Sequence, residues 1–170
     1  MTTSREALAH VLSCLDAIYE AMGDAAPTLS NDAFVVRAFE TARAVGEVAL
    51  ALREYLELSR SSPMDIVTDV LRDAVAGDEE GAMLLFCFAV VVGPRLLVSL
   101  RDAREEVSLD EGAMAVANLA SEVLVAEILA VGEAARGLAP VEDERWQERA
   151  RGLTFRLEAA GYAESMGVSH

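Results

Sequence analysis

The chain has 170 residues, 29 acidic and 14 basic, with a formal net charge of −15. A surface this acidic repels phosphate backbones and anionic lipid heads, which sets nucleic acid aside as a partner. Hydrophobic residues make up 53% but aromatics only 5%. The core is therefore expected to be Ala, Leu and Val, and a chain of this length buries one without disulfide or metal staples.

No stretch alternates apolar and polar residues between turn signals, so no strand is expected. Spacings of three and four instead mark six helices. The first spans about residues 5–22, capped by Ser4, with Leu8, Val11, Leu15, Ile18 and Met22 in one stripe. Gly23 is expected to end it, before a loop containing Pro27. His10 lies off the stripe and reads as solvent-facing, although Cys14 follows it by one helical turn. That spacing could set a base beside a thiol, but no third group is evident to orient the pair.

The second helix, about residues 32–59, carries the most regular pattern. Val35, Ala38, Ala42, Val45, Ala49, Leu52 and Leu56 alternate spacings of three and four, the seam of a coiled coil. These seven residues are the sequence's candidate subunit interface. Glu40, Glu47 and Glu54 recur every seven residues opposite the seam, flanked by Arg37, Arg43 and Arg53. They read as a solvated, charge-laced outer face.

The third helix is expected to open at Ser62–Pro63 and close at Gly77. The fourth follows Asp78, Glu79 and Glu80. Its segment 82–94 has no charge and is apolar on every side, so it must be surrounded. At about 13 residues this segment falls short of the ~20 a membrane span needs. Gly93–Pro94 should kink or end it, with a further helical stretch over 95–106. A capping box, Ser108-Leu-Asp-Glu111, opens the fifth helix, which runs to about Arg136. Its middle is also nearly apolar all round, interrupted by Asn118 and Glu122, the candidate buried polar residues. The sixth follows Pro140, with Trp146, Ala150, Leu153, Leu157 and Ala160 along one stripe.

The expected architecture is all-α: a single-domain orthogonal helical bundle of about six helices around one or two central apolar helices, spanning 1–160, with 161–170 as a tail. Cys14 and Cys87 sit among apolar residues. They read as free buried thiols in a reducing, cytoplasmic setting.

The inventory for catalysis is small. No phosphate-binding loop and no Glu-x-x-His pair is present, and no cofactor is expected. Glu54-Tyr-Leu-Glu57 resembles one metal-binding stretch of the MazG-type nucleotide pyrophosphohydrolases, all-α enzymes that hold Mg²⁺ between a Glu-x-x-Glu helix and a Glu-x-x-Asp helix. The next helix departs from that pattern, offering Asp65, Asp69 and Asp73 at spacings of four. The resemblance implies Glu54, Glu57 and Asp69 as the candidate metal ligands. Surplus apolar surface on three helices points elsewhere, to a non-enzymatic interaction or regulatory module that pairs with itself or another protein. A cavity for a small apolar ligand between helices is the alternative.

Overall fold

The computed structural model describes residues 4–58, 63–76, 78, 80–105, 110–136 and 144–159. Six helices account for nearly all of them: α1 (Ser4–Ala25), α2 (Asp32–Leu56), α3 (Asp65–Ala76), α4 (Ala82–Glu105), α5 (Glu111–Arg136) and α6 (Glu144–Ala159). No strand occurs among the described residues. The chain is an all-α helical bundle.

Local chemistry sets most of the helix ends. α1 runs past Gly23 to Ala25 and turns through a 3₁₀ segment, Ala26–Thr28, that carries Pro27. Glycine is tolerated inside a helix, so Gly23 alone could not end this one. Asn31 caps α2 by accepting the Phe34 amide at 3.2 Å. Glu57 closes α2 in the left-handed region at φ 55°, its amide returning to the carbonyls of Arg53 and Glu54. Pro63 lies before α3 rather than at its first position. Asp78 accepts the amides of Glu80 and Met83 at 3.2 and 2.9 Å, and so caps α4 across Gly81. Asp110 caps α5, accepting the Ala113 amide at 2.7 Å. Ser62, Gly77, Glu79, Ser108, Pro140, Ala160 and residues 161–170 lie outside the described residues, as does the side chain of Trp146.

Gly93–Pro94 does not end α4. Residues Cys87–Val92 widen into a π-helix, and the Gly93 amide reaches back five residues to the Phe88 carbonyl. A π turn absorbs the register change that a proline ring would otherwise force as a clash. Arg95 then donates through Nη1 to the Val91 carbonyl at 2.8 Å. The helix therefore continues to Glu105, longer than the uncharged segment alone suggests.

Side-chain pairs fix the packing. Asp16 with Arg53 and Arg5 with the Leu56 carbonyl set α1 antiparallel to α2. Arg37 with Glu127 and Tyr55 with Asp110 set α2 antiparallel to α5. Arg104 with Asn118 sets α4 antiparallel to α5. α6 lies across α3 and α4, tied by Arg149 and Arg156 to Asp73 and by Arg95 to Glu158.

Two helices occupy the centre, and they are α1 and α4. In α1, Leu8, Val11, Leu12, Cys14, Leu15, Ala17, Ile18 and Met22 are fully buried, a broader arc than one stripe. In α4, Met83, Leu84, Leu85, Cys87, Phe88, Val92, Leu96 and Leu100 are buried with them. The fifth helix, nearly as apolar as the fourth, lies on the outside instead.

Candidate functional site

The seam of α2 is enclosed within the chain. Ala38, Ala42, Val45, Ala49, Leu52 and Leu56 are all buried in the core, and Val35 packs partly buried against it. Alternating small residues let α1 and α5 approach α2 closely. The seven residues expected at a subunit interface are thus covered by the chain's own helices. Glu40, Glu47 and Glu54 face solvent on the opposite side.

Asn118 and Glu122, expected to be buried, are exposed. Asn118 accepts from Arg104 at 3.2 Å on the surface. The half-buried carboxylate of α5 is Glu127, one and a half turns further on. Its Oε2 accepts from Arg37 Nη2 and from Thr41 Oγ1, both at 2.8 Å. Arg37 also meets Glu40 at 3.1 Å. The pattern alone could not choose Glu127, because a helix apolar on every side carries no phase.

The carboxylates proposed for Mg²⁺ do not form a centre. Glu54, Glu57 and Asp69 are all exposed, and Glu57 sits on the left-handed turn that ends α2. No group of three His, Cys, Asp or Glu side chains among the described residues converges enough to hold a metal ion. Both cysteines are buried free thiols. Burial pushes the Cys87 thiol up to about 12, which removes it from thiolate chemistry near neutrality. His10 is half-buried rather than solvent-facing, and its Nε2 lies 3.9 Å from Cys14 Sγ.

The outer face of α5 carries exposed apolar side chains, as the outer face of α2 does at Val36, Phe39 and Leu50. Ala115, Leu119, Glu122, Ala126, Leu129 and Glu133 recur at spacings of four and three, and all are exposed. Leu119 is 43% exposed, Leu129 68%, and Val125 beside them 44%. Both α4 and α5 are long and apolar enough to cross a membrane by length and composition. In α4 the most apolar window is 67% buried inside the protein; in α5 it is only 28% buried. A long apolar helix is normally the covered one, and here its stripe is left bare.

Two depressions lie elsewhere on the described surface. Between α4 and α6 runs a groove of about 470 Å³, with Phe86, Val90, Val91 and Ala150 as its apolar lining and Arg95 and Arg151 beside them. On the other side, Tyr19 and Phe39 flank a hollow of about 500 Å³ between α1 and α2, which also takes in Glu20, Asp24 and Arg43. No family model, curated protein or solved structure matches the chain.

Proposed function

We propose that the chain is a non-enzymatic interaction module that pairs with a second copy of itself through the outer face of α5. The observation that carries this reading is the bare stripe of Leu119, Val125 and Leu129 on a helix whose inner face is already packed. Large apolar side chains left exposed together on one helix face mark association sites.

The stripe is also self-complementary. About a two-fold axis near residue 124, antiparallel copies of α5 set Leu119 against the partner copy's Leu129. The same axis sets Glu122 against Ala126 and Ala115 against Glu133. The carboxylates of the two copies are then kept apart, and the bulky leucines meet one another. A parallel pairing would instead bring the two Glu122 carboxylates together, which like-charge repulsion disfavours. A two-fold, isologous contact is the commonest arrangement for soluble oligomers. The buried free thiols fit a reducing, cytoplasmic setting.

Light scattering coupled to size-exclusion chromatography tests the reading. A mass near twice 18.2 kDa at micromolar concentration supports it. A monomer throughout that range overturns it, and binding of the monomer to neutral-lipid vesicles would assign the stripe to a bilayer. Carboxylates at 122, 127 and 133 weigh against a spanning role for α5.

The groove between α4 and α6 supports a second reading, a site for a small apolar ligand, because its volume and apolar lining fall in the range of such sites. A fatty acid of medium length that raises the melting temperature, with the effect lost in Val90→Asp, would favour it.

A further inference from the structure

One cluster of side chains near α1 plays no part in the proposed pairing and is chemically unlike the rest of the core. Cys14 is fully buried, and its Sγ lies 3.9 Å from His10 Nε2 and 3.6 Å from Met64 Sδ. The three donors come from two places in the chain. His10 and Cys14 stand one turn apart on α1, and Met64 comes from the segment that leads into α3.

Met64 is held in place by its backbone. Its amide donates to the Ser13 carbonyl at 3.1 Å, which ties it to α1 directly beside Cys14. Its carbonyl accepts from the amides of Val67 and Thr68 at 3.0 and 3.1 Å, at the start of α3. The thioether is therefore brought to the thiol by hydrogen bonds on both sides of its own residue. His10 and Met64 are both partly buried, and the sulfur of Cys14 between them is enclosed.

We propose that His10 Nε2, Cys14 Sγ and Met64 Sδ form a three-donor site for a soft monovalent metal ion, copper(I). Metal–sulfur bonds of about 2.3 Å and metal–nitrogen bonds of about 2.0 Å, opened at 110–120°, put neighbouring donors about 3.5–4.0 Å apart. With those bond lengths the 3.6 Å between Cys14 Sγ and Met64 Sδ corresponds to an angle of about 103° at the metal, and the 3.9 Å between Cys14 Sγ and His10 Nε2 to about 130°, a distorted trigonal opening. The thiolate and the thioether are soft donors and the imidazole is one that copper accepts, so this set selects copper(I) over magnesium or calcium. The absence of a carboxylate or second thiolate from the cluster disfavours zinc, which takes four ligands and uses thioether poorly. On binding, the Cys14 S–H bond breaks, its proton passes to the buffer, and the thiolate electron pair forms the metal–sulfur bond. Copper stays in the +1 state throughout.

Anaerobic titration of the reduced full-length chain with copper(I), against the chelator bathocuproine disulfonate, tests the site. The expected result is one equivalent of copper retained against the chelator, with a thiolate-to-copper absorption band in the ultraviolet. Cys87→Ser should keep both. Cys14→Ser should lose both, with circular dichroism showing that it remains helical. Met64→Leu preserves side-chain volume at a partly buried position, so it tests the third donor without unfolding the chain. It should weaken retention by about tenfold or more, as loss of a ligand does. The proposal is overturned if the chelator strips copper equally from wild type and Cys14→Ser, if Cys87→Ser is the variant that loses it, or if Met64→Leu binds as tightly as wild type.

Discussion

Gly93 and Ile128 meet where α4 crosses α5, so closely that a Cβ on Gly93 would stand 2.8 Å from both Cγ1 and Cδ1 of Ile128. The same Cβ would lie 2.8 Å from the Phe88 carbonyl oxygen, the acceptor of the Gly93 amide. The glycine is required by this approach and not by its backbone angle, since its φ of −57° is ordinary for a helix. Gly93→Ala gains helix propensity, about 1 kcal/mol in a free helix. Overpacking a fixed contact costs about 1–3 kcal/mol, and here the carbonyl cannot retreat without breaking the π turn. The variant should be less stable in urea unfolding. Combining it with Ile128→Ala should give less destabilisation than the two single losses added together, because the second change vacates the space the first one fills. Additive losses would mean that the two residues are not in contact.

This crossing also marks the boundary of what the residues could reveal. The apolar run 82–92 identified a buried helix, and the amphipathic spacing identified the inner face of α2 and, at Ala150, Leu153 and Leu157, that of α6. Gly93–Pro94 reads as a break because proline removes an amide and clashes with the preceding turn. The way around it, a π turn filled by residues distant in sequence, is a tertiary solution with no local signature. The same holds for the choice between α1 and α5 as the second central helix. Apolar residues surround α5 on all sides, so periodicity gives no direction for its buried face. Once Arg37 and Thr41 of α2 capture Glu127, that direction is fixed, and the stripe through Leu119 and Leu129 turns to solvent. The seam of α2 was legible as a close helix contact, but nothing in its spacing says whether the partner belongs to the same chain. The soft cluster joins His10 and Cys14, whose spacing is visible, to Met64, fifty residues past Cys14 and brought there by a backbone hydrogen bond.

Glu127 should be a strong point of stability on α5. Its side chain is 15% exposed and that of Arg37 19%, so both ions are largely desolvated. Removing Glu127 leaves Arg37 with Glu40 alone, and removing Arg37 leaves the Glu127 carboxylate with only the Thr41 hydroxyl. Glu127→Ala is expected to cost about 1–3 kcal/mol in urea unfolding. Thr41→Val, which removes only the second donor, should cost less. A double cycle with Arg37→Met should return a coupling of about 1 kcal/mol or more. Coupling near zero would show that the pair is solvated and that another contact orients α5.

The cap of α5 predicts an acid response. Asp110 accepts from the Ala113 amide and from the Tyr55 hydroxyl, at 3.0 and 2.9 Å for its two oxygens. The amide of Ala113 first, then the Tyr55 hydroxyl, hold its carboxyl below the ordinary aspartate value. A carboxylate whose pKa is depressed by folding stabilises the native state above its unfolded pKa, and that stability is lost as pH falls through the folded value. The loss from this group should therefore fall below about pH 4. Asp110→Ala should lower the melting temperature at pH 7 by a few degrees, the usual scale for one lost cap in a chain of this length. It should also flatten the part of the acid profile that Asp110 supplies. Tyr55→Phe should reproduce only part of the effect, since the amide bond is kept. If the wild type and Asp110→Ala lose stability in parallel on acidification, the cap is not the titrating contact.

The stripe on α5 can be tested by making its pairing unfavourable without disturbing the fold. Leu119 and Leu129 are both well exposed in the single chain, so Leu129→Glu should leave the melting temperature of the monomer nearly unchanged, as surface substitutions do. In an antiparallel pair it places a carboxylate against the partner copy's Leu119 at both ends of the contact. Desolvating two carboxylates without partners should raise the dissociation constant by at least about tenfold. Leu119→Glu should act in the same direction, because the two-fold axis pairs each Leu119 with the partner copy's Leu129. Joining the two substitutions would oppose glutamate to glutamate and weaken association further. Phe155, 68% exposed on α6 and off the stripe, provides the contrast: Phe155→Ser should leave the association untouched. Sedimentation velocity across a hundredfold concentration range distinguishes these outcomes. A dimer that survives Leu129→Glu but dissociates with Phe155→Ser would move the contact to α6 and away from the exposed leucines.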